Sequence, residues 1–377
     1  MIDLNRLTSK FEETYDSRPR VFRAPGRVNI IGEHTDYNEG FVLPCAIDFA
    51  TYVAAGARTD RKIRVASLNF DRAFEFDLDD PPLRKETTWV KYVQGVALIL
   101  ERSGYHLNGA DLLIDSDVPV GAGLSSSAAL EISVAFALSR ISRHQVEGIE
   151  LAKIGQTAEH EFAGVLSGIM DQFASVYGKA DNALLLDCRS LKSSAVPLSD
   201  ANFIVCNTKV KHDLADGEYN VRRKQCEEAA NFFGVSSLRD VSLDVLERMS
   251  PTMLDVLMKR ARHVISENQR VLDTVEALKA GDLSKVGVLL TKSHISLRDD
   301  FDVSSKELNL MVEIGLRQEG FFGARMMGGG FGGCTINLVE PKNAGEFIEN
   351  MIREYREATG IECDIYRPKT SSGASEI

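Results

Sequence analysis

What the sequence lacks narrows the field first. No apolar run approaches the roughly 18 to 20 residues that cross a bilayer, and the opening MIDLNRLTSKFEETYD has no apolar stretch of the secretory kind. The expectation is a cytoplasmic protein without a membrane partner. Basic surplus is missing too: 44 Lys and Arg against 55 Asp and Glu leave a formal charge of -11, which argues against a nucleic-acid partner. The six cysteines, at 45, 188, 206, 226, 334 and 363, show no CxxC spacing, so reduced thiols are expected rather than a disulfide framework. Histidines at metal-ligand spacing are absent as well; His160-Glu161 would open HExxH, but position 164 is glycine, and no zinc is expected. There is no GxxxxGK[ST], so any ATP site is not a P-loop. Gly328 to Gly333 formally satisfies GxGxxG, yet it opens onto the strand-like CTINLV. A dinucleotide fingerprint must open onto a helix, so close approach to another segment or a ligand is the better reading.

What remains is ordinary globular composition, 44% apolar and 26% charged, over 377 residues. That length exceeds one usual hydrophobic core, and two domains are expected, 1–200 and 201–377. Strands are expected over Val21–Ala24, Thr51–Arg58, Lys62–Ser67, Arg72–Asp77, Ala110–Ser116, Ala183–Cys188 and Asn202–Thr208. Helices are expected over Trp89–Arg102, from the serine loop to about Ile141, over Ile149–Phe162, and from about Ser167. Leu214–Phe233 and Leu238–Glu276 also read as helical. The last third alternates helix (Ser304–Gln318), strand (Phe322–Met327), strand (Cys334–Val339), helix (Ala344–Ala358) and strand (Glu362–Tyr366), an α+β pattern of ferredoxin-like type. The tail PKTSSGASEI is expected to be disordered.

Three stretches carry chemistry. Val118–Ala129, VPVGAGLSSSAA, places Gly121, Gly123, Leu124, Ser125, Ser126, Ser127 and Ala128 before a helix-forming run. The first amides of a helix have no internal partner and its dipole favours an anion there, so the loop can receive a phosphate. An ordinary serine-capped helix is the alternative. Gly26–Gly40, GRVNIIGEHTDYNEG, packs Arg27, Glu33, His34 and Asp36 between glycines. Carboxylates accept from hydroxyls while Arg and His donate, which suits a polyhydroxyl ligand; a solvated hairpin loop is the alternative. SGIMDQF places Asp171 in the first turn of a helix just after Gly168, a position that the dipole favours for any acidic residue.

These motifs, in this order, resemble the GHMP kinases: GRVNIIGEHTDYNEGFVLP resembles the galactokinase signature within that superfamily, VPVGAGLSSSAALE its second motif, TAEHEFAG with GIMDQF the catalytic-helix region, and MMGGGFGGC the third motif. The resemblance implies a two-domain GHMP kinase fold, with an N-terminal domain like ribosomal protein S5 domain 2 and a ferredoxin-like C-terminal domain. It implies transfer of the ATP γ-phosphate to the anomeric hydroxyl of galactose; an N-acetylgalactosamine kinase, or a non-catalytic galactokinase-like sugar sensor, is the alternative. Glu33, His34, Asp36, Gly168, Asp171 and Tyr219 would hold the sugar, Ser127 and Glu159 Mg²⁺, and the serine loop ATP. Arg27 would supply positive charge and Asp171 would accept the proton of the attacking hydroxyl. The partners expected are small molecules alone, with a monomeric chain.

Overall fold

The computed structural model describes residues 2–70, 72–81, 88–198, 200–211, 215–249 and 252–377. Leu214, Ser250 and Pro251, parts of the expected middle helices, lie outside them. In chain order the first part holds α1 (Leu4–Tyr15), β1 (Arg20–Asn29), β2 (Phe41–Val42), β3 (Pro44–Ala57), β4 (Lys62–Ser67), β5 (Ala73–Asp77), α2 (Val90–Arg102), β6 (Ala110–Ser116), α3 (Ser126–Ile141), α4 (Gly148–Ala158), α5 (Met170–Tyr177), β7 (Asn182–Asp187) and β8 (Lys192–Pro197). There follow β9 (Phe203–Lys211), α6 (Ala215–Phe233), α7 (Leu243–Met249), α8 (Asp255–Lys279), α9 (Leu283–Asp299), α10 (Lys306–Gly315), β10 (Phe321–Met327), β11 (Gly332–Val339), α11 (Ala344–Thr359), β12 (Asp364–Tyr366) and β13 (Ser375–Glu376).

A six-stranded sheet runs β13-β1-β3-β6-β4-β5, antiparallel except for the β4–β6 pair. Its apolar face packs on α2, α3 and α4, whose Val93, Leu100, Ile132, Leu138 and Ile154 are all buried. A second sheet runs β10-β11-β9-β12, with every pair antiparallel. Numbered along the chain, that order is the 4-1-3-2 of a ferredoxin-like unit read backwards, as the alternation in the last third implies. An apolar cluster joins the two layers: Val28, Ile30 and Leu43 meet Val271 and Val275 of α8, Leu290 of α9, and Met327 and Cys334 of the second sheet. The cleft described below opens at this seam. All six cysteines are unpaired.

Three sequence readings change. The strand expected to end at Ala24 continues through Pro25 and Gly26 to Asn29, with a register shift between Pro25 and Arg27. The bulge absorbs the missing proline N–H and carries Arg27 on a rigid strand instead of a loop. The strand expected from Thr51 begins earlier, at Pro44, within the 14-residue β3. The tail is ordered. Ser375 and Glu376 pair with Arg23 and Phe22 of β1, Arg20 grips the Glu376 carboxylate with two hydrogen bonds of 2.7 Å, and the Gly373 and Ala374 amides donate to the Gly178 and Ser175 carbonyls. A polar tail gave no apolar signal because what fixes it is the unpaired backbone of a sheet edge.

Candidate active site

β1 leads directly into the loop that carries Glu33, His34 and Asp36. Glu33 is almost completely buried; its Oε1 accepts from the Gly328 amide at 2.8 Å and from Arg325 Nη2 at 3.2 Å. His34 has φ +61°, and its Nδ1 lies 2.8 Å from the Tyr37 hydroxyl. Its ring is flanked by those of Tyr219 (centroids 5.3 Å apart) and Phe301 (4.7 Å). Burial pushes the imidazole down to about 3, so it is neutral and acts through hydrogen bonds rather than charge. Burial, with Asp171 and Glu33 alongside, pushes the Asp36 carboxyl up to about 7, while Arg27 pulls the other way. Gly168 faces Asp36 so closely that a Cβ there would fall 2.0 Å from Asp36 Oδ2. Only glycine fits.

Arg27 and Asp171 form the centre of the site. Arg27 Nε donates to Asp171 Oδ1 at 2.8 Å and Nη2 to Oδ2 at 2.5 Å, while Nη1 holds the Gly123 carbonyl at 2.6 Å. Burial opposes the Arg27 charge, but Asp171, Glu33 and Asp36 outweigh it and raise its pKa. Asp171 is three-quarters buried on its side chain, whereas Arg27 is almost wholly enclosed, so the carboxylate faces the cavity and the guanidinium sits behind it.

The serine loop meets this pair. Ser125 stands at the N-cap of α3 with φ +61° and makes no capping bond; its hydroxyl donates to Asp171 Oδ2 instead. Simple serine capping is therefore not what occurs here. Gly121 and Gly123 both have positive φ. The side chains of Leu124 and Ala128 are buried in the core, so these two residues can offer a ligand only backbone atoms. Ser126 is partly exposed at the start of the helix, and the Ser127 hydroxyl donates to Glu159 Oε1 at 3.1 Å. Glu159 lies in a π turn that follows α4. Burial and then the Asp171 charge raise its carboxyl above the ordinary range, against hydrogen bonds that lower it, and among the described residues it forms no ion pair. A hydroxyl and a carboxylate, both hard oxygen donors beside a helix N-terminus, fit Mg²⁺, which takes few protein ligands together with phosphate oxygens and water.

Arg27, Glu33, His34, Asp36, Gly121, Gly123, Glu159, Gly168, Asp171 and Tyr219 line one cavity of about 250 Å³, closed on its far side by Met327 to Gly333. This order of parts is matched in known proteins. Residues 9–57 match the galactokinase galactose-binding signature, 91–179 the GHMP kinases N terminal domain and 274–358 the GHMP kinases C terminal. A galactokinase of Roseiflexus sp. (strain RS-1) is 45% identical over 384 residues, covering 100% of this chain and 98% of that protein. The chain belongs to the galactokinase family. Among solved structures, Lactococcus lactis galactokinase complexed with galactose superposes with a TM-score of 0.96 at 38% identity, covering 99% of this chain and 100% of that one. Methanococcus jannaschii mevalonate kinase shares the fold at a TM-score of 0.66 and 18% identity, over 94% of this chain and 99% of that one. The two-domain GHMP kinase fold expected from the motifs is thus the fold of this galactokinase-family chain.

Sequence reading missed two parts of the site. Arg325, on β10, is fully buried; it donates to the Ile30, Met326 and Asn29 carbonyls as well as to Glu33, and so ties the first loop to the second sheet. The other is an apolar slot of about 180 Å³ beside Ser126 and Ser127, lined by Phe70, Trp89, Tyr92, Val120 and Leu130. There Trp89 stacks on Phe70 with centroids 6.2 Å apart and ring planes 19° from parallel. The sole tryptophan of the chain was the available signal for it.

Proposed function

We propose that the chain transfers the γ-phosphoryl group of ATP to the anomeric hydroxyl of galactose. The observation that carries this reading is the junction of Arg27, Asp171 and the Ser125 hydroxyl, where the polyhydroxyl-suited loop and the phosphate-suited loop meet. The sugar lies among Glu33, His34, Asp36, Gly168 and Tyr219. The triphosphate follows the backbone from Gly121 to Ala128, and the purine enters the Phe70–Trp89 slot. Ser127 and Glu159 would hold Mg²⁺, which when bound would neutralise phosphate charge.

Asp171 accepts the proton of the attacking hydroxyl as its oxygen bonds to the γ-phosphorus and the bond to the bridging oxygen of ADP breaks. Arg27 orients Asp171 through two parallel hydrogen bonds and adds positive charge behind the reacting centre. Gly168 leaves Asp36 its place, and Arg325 keeps Glu33 in its rotamer. Support for the sugar comes from the galactose-binding signature match and from the relatives' names. We place the enzyme in the cytoplasm and read it as a monomer; among the described residues no helix is long and apolar enough to cross a membrane.

A coupled assay for ADP, run with MgATP over galactose, N-acetylgalactosamine, glucose and mannose, tests the reading. Galactose-dependent ADP with equimolar sugar 1-phosphate is expected. ADP release only with another sugar would replace the acceptor, and sugar-independent ADP release would defeat the assignment.

A further inference from the structure

Behind Glu159 lies a buried polar pair that the chemistry above does not use. Gln172, the residue after Asp171 on α5, and Glu131, one helical turn beyond Ser127 on α3, are both 0% exposed. The amide nitrogen of Gln172 donates to Glu131 Oε2 at 2.9 Å and to Glu159 Oε2 at 3.2 Å. The Ser167 hydroxyl donates to the same Glu159 Oε2. Among the described residues Glu159 Oε1 receives only the Ser127 hydroxyl. One oxygen of Glu159 is therefore held by two donors, while the other is directed at the residue that shares the proposed metal site.

An amide has two ends, and only one suits this place. Turned about, Gln172 would set its carbonyl oxygen against the Glu159 carboxylate, acceptor against acceptor. Glu131 Oε2 and Glu159 Oε2 accept from the same NH₂ group, so turning the amide would cost both contacts. Space has been made for the pair: α4 carries a glycine in its interior, where alanine is the better helix former. A Cβ on Gly155 would lie 3.1 Å from Gln172 Cγ and 3.4 Å from Glu131 Oε2.

We propose that Glu131 and Gln172 are positioning residues that orient Glu159 for the metal ion, an inference that rests on the reading of Glu159 as a magnesium ligand. Glu131 selects the amide orientation, Gln172 together with Ser167 immobilises Oε2, and Oε1 is left for coordination. Ligand-orienting partners of this kind typically change metal affinity by about 10- to 100-fold.

The test titrates Mn²⁺, followed by its electron paramagnetic resonance signal, onto protein saturated with a non-hydrolysable ATP analogue. Gln172→Met and Glu131→Leu should weaken Mn²⁺ binding by about tenfold or more, with the galactose KM unchanged and kcat recovered by raising free Mg²⁺. Glu131→Gln, which retains an acceptor for the amide, should restore most of the affinity and guards against a folding defect in Glu131→Leu. Glu159→Gln is the reference. If it weakens Mn²⁺ binding while Gln172→Met binds as the parent does, the positioning role is overturned. A loss in Gln172→Met without one in Glu131→Leu overturns the part given to Glu131. If Glu159→Gln itself binds Mn²⁺ undiminished, the metal reading falls and the positioning role falls with it.

Discussion

At one end of the cleft Glu33, His34 and Asp36 are enclosed by Arg325, Tyr37, Tyr219 and Phe301; Glu33 is already held by Gly328 and Arg325, while His34 Nε2 is buried without a partner among the described residues. At the other, Gly121 and Gly123 present backbone in left-handed conformations, with no atom within 4 Å of where a Gly121 side chain would begin. The first end discriminates, because a buried polar group left unmatched by the wrong hydroxyl costs about 1–3 kcal/mol. On the proposed reading the second receives a flexible, highly charged chain and needs amides and open space more than shape. Arg27 belongs to both, binding Asp171 with one side of its guanidinium and the Gly123 carbonyl with the other.

The comparison breaks most completely where the two ends join. Asp171→Ala should lower kcat by at least about 100-fold, read by steady-state kinetics on protein whose circular dichroism is unchanged; near-normal turnover would remove Asp171 from the chemistry. Next is the contrast in stability. Arg325→Met removes the guanidinium from Glu33, which keeps the Gly328 amide, and from three carbonyls, and should cost about 3–5 kcal/mol in urea unfolding, whereas Ser126→Ala at the open end should stay within about 0.5 kcal/mol. Equal losses would mean that the two ends are equally preorganised. Trp89→Ala should raise the ATP KM on the order of tenfold, the size of one lost stacking contact, and leave the galactose KM alone. As Trp89 is the only tryptophan, its emission in the parent should respond to ATP and not to galactose.

The smallest effect concerns pH. Asp36 titrates in the fold near 7, above its ordinary 3.8, so the fold favours its protonated form. Its burial costs stability increasingly as pH rises from the ordinary carboxylate range through about 7, and the cost vanishes in acid. Asp36→Asn should therefore raise the melting midpoint by a few degrees at pH 8 and by less at pH 5, while weakening galactose binding. A shift independent of pH would show that Asp36 is not the group responsible.

Much of the site was legible because its polar side chains lie in short runs, and glycines beside them mark where backbone must come close. Asp171 stood out by its place after Gly168, and Ser127 by its place at the head of a helix. Arg325 was illegible for the opposite reason: it sits inside an ordinary alternating strand, and its partners are 292 to 296 residues away in sequence. The apolar slot is hidden too, since Phe70 after β4 and Trp89 before α2 are brought together only by the fold. The strand β8 has mostly exposed side chains and so lacks the alternation that betrays a half-buried strand. Ser125 shows the limit of motif reading. Its position was evident, but the left-handed turn that sends its hydroxyl to Asp171 is a property of the folded loop.

The ordered tail has a consequence for biosynthesis. Translation delivers β13 some 350 residues after β1, so the outer edge of the first sheet emerges bare and remains so until Ser375 and Glu376 have left the ribosome. At about 5–20 residues per second, that is an interval of tens of seconds during which a strand carrying Arg27 offers unpaired amides and carbonyls to any neighbouring chain. Nascent chains paused or cut short before Ser375 would share this open edge, and quality control in the cell would meet them as strand-pairing hazards rather than as merely inactive enzymes.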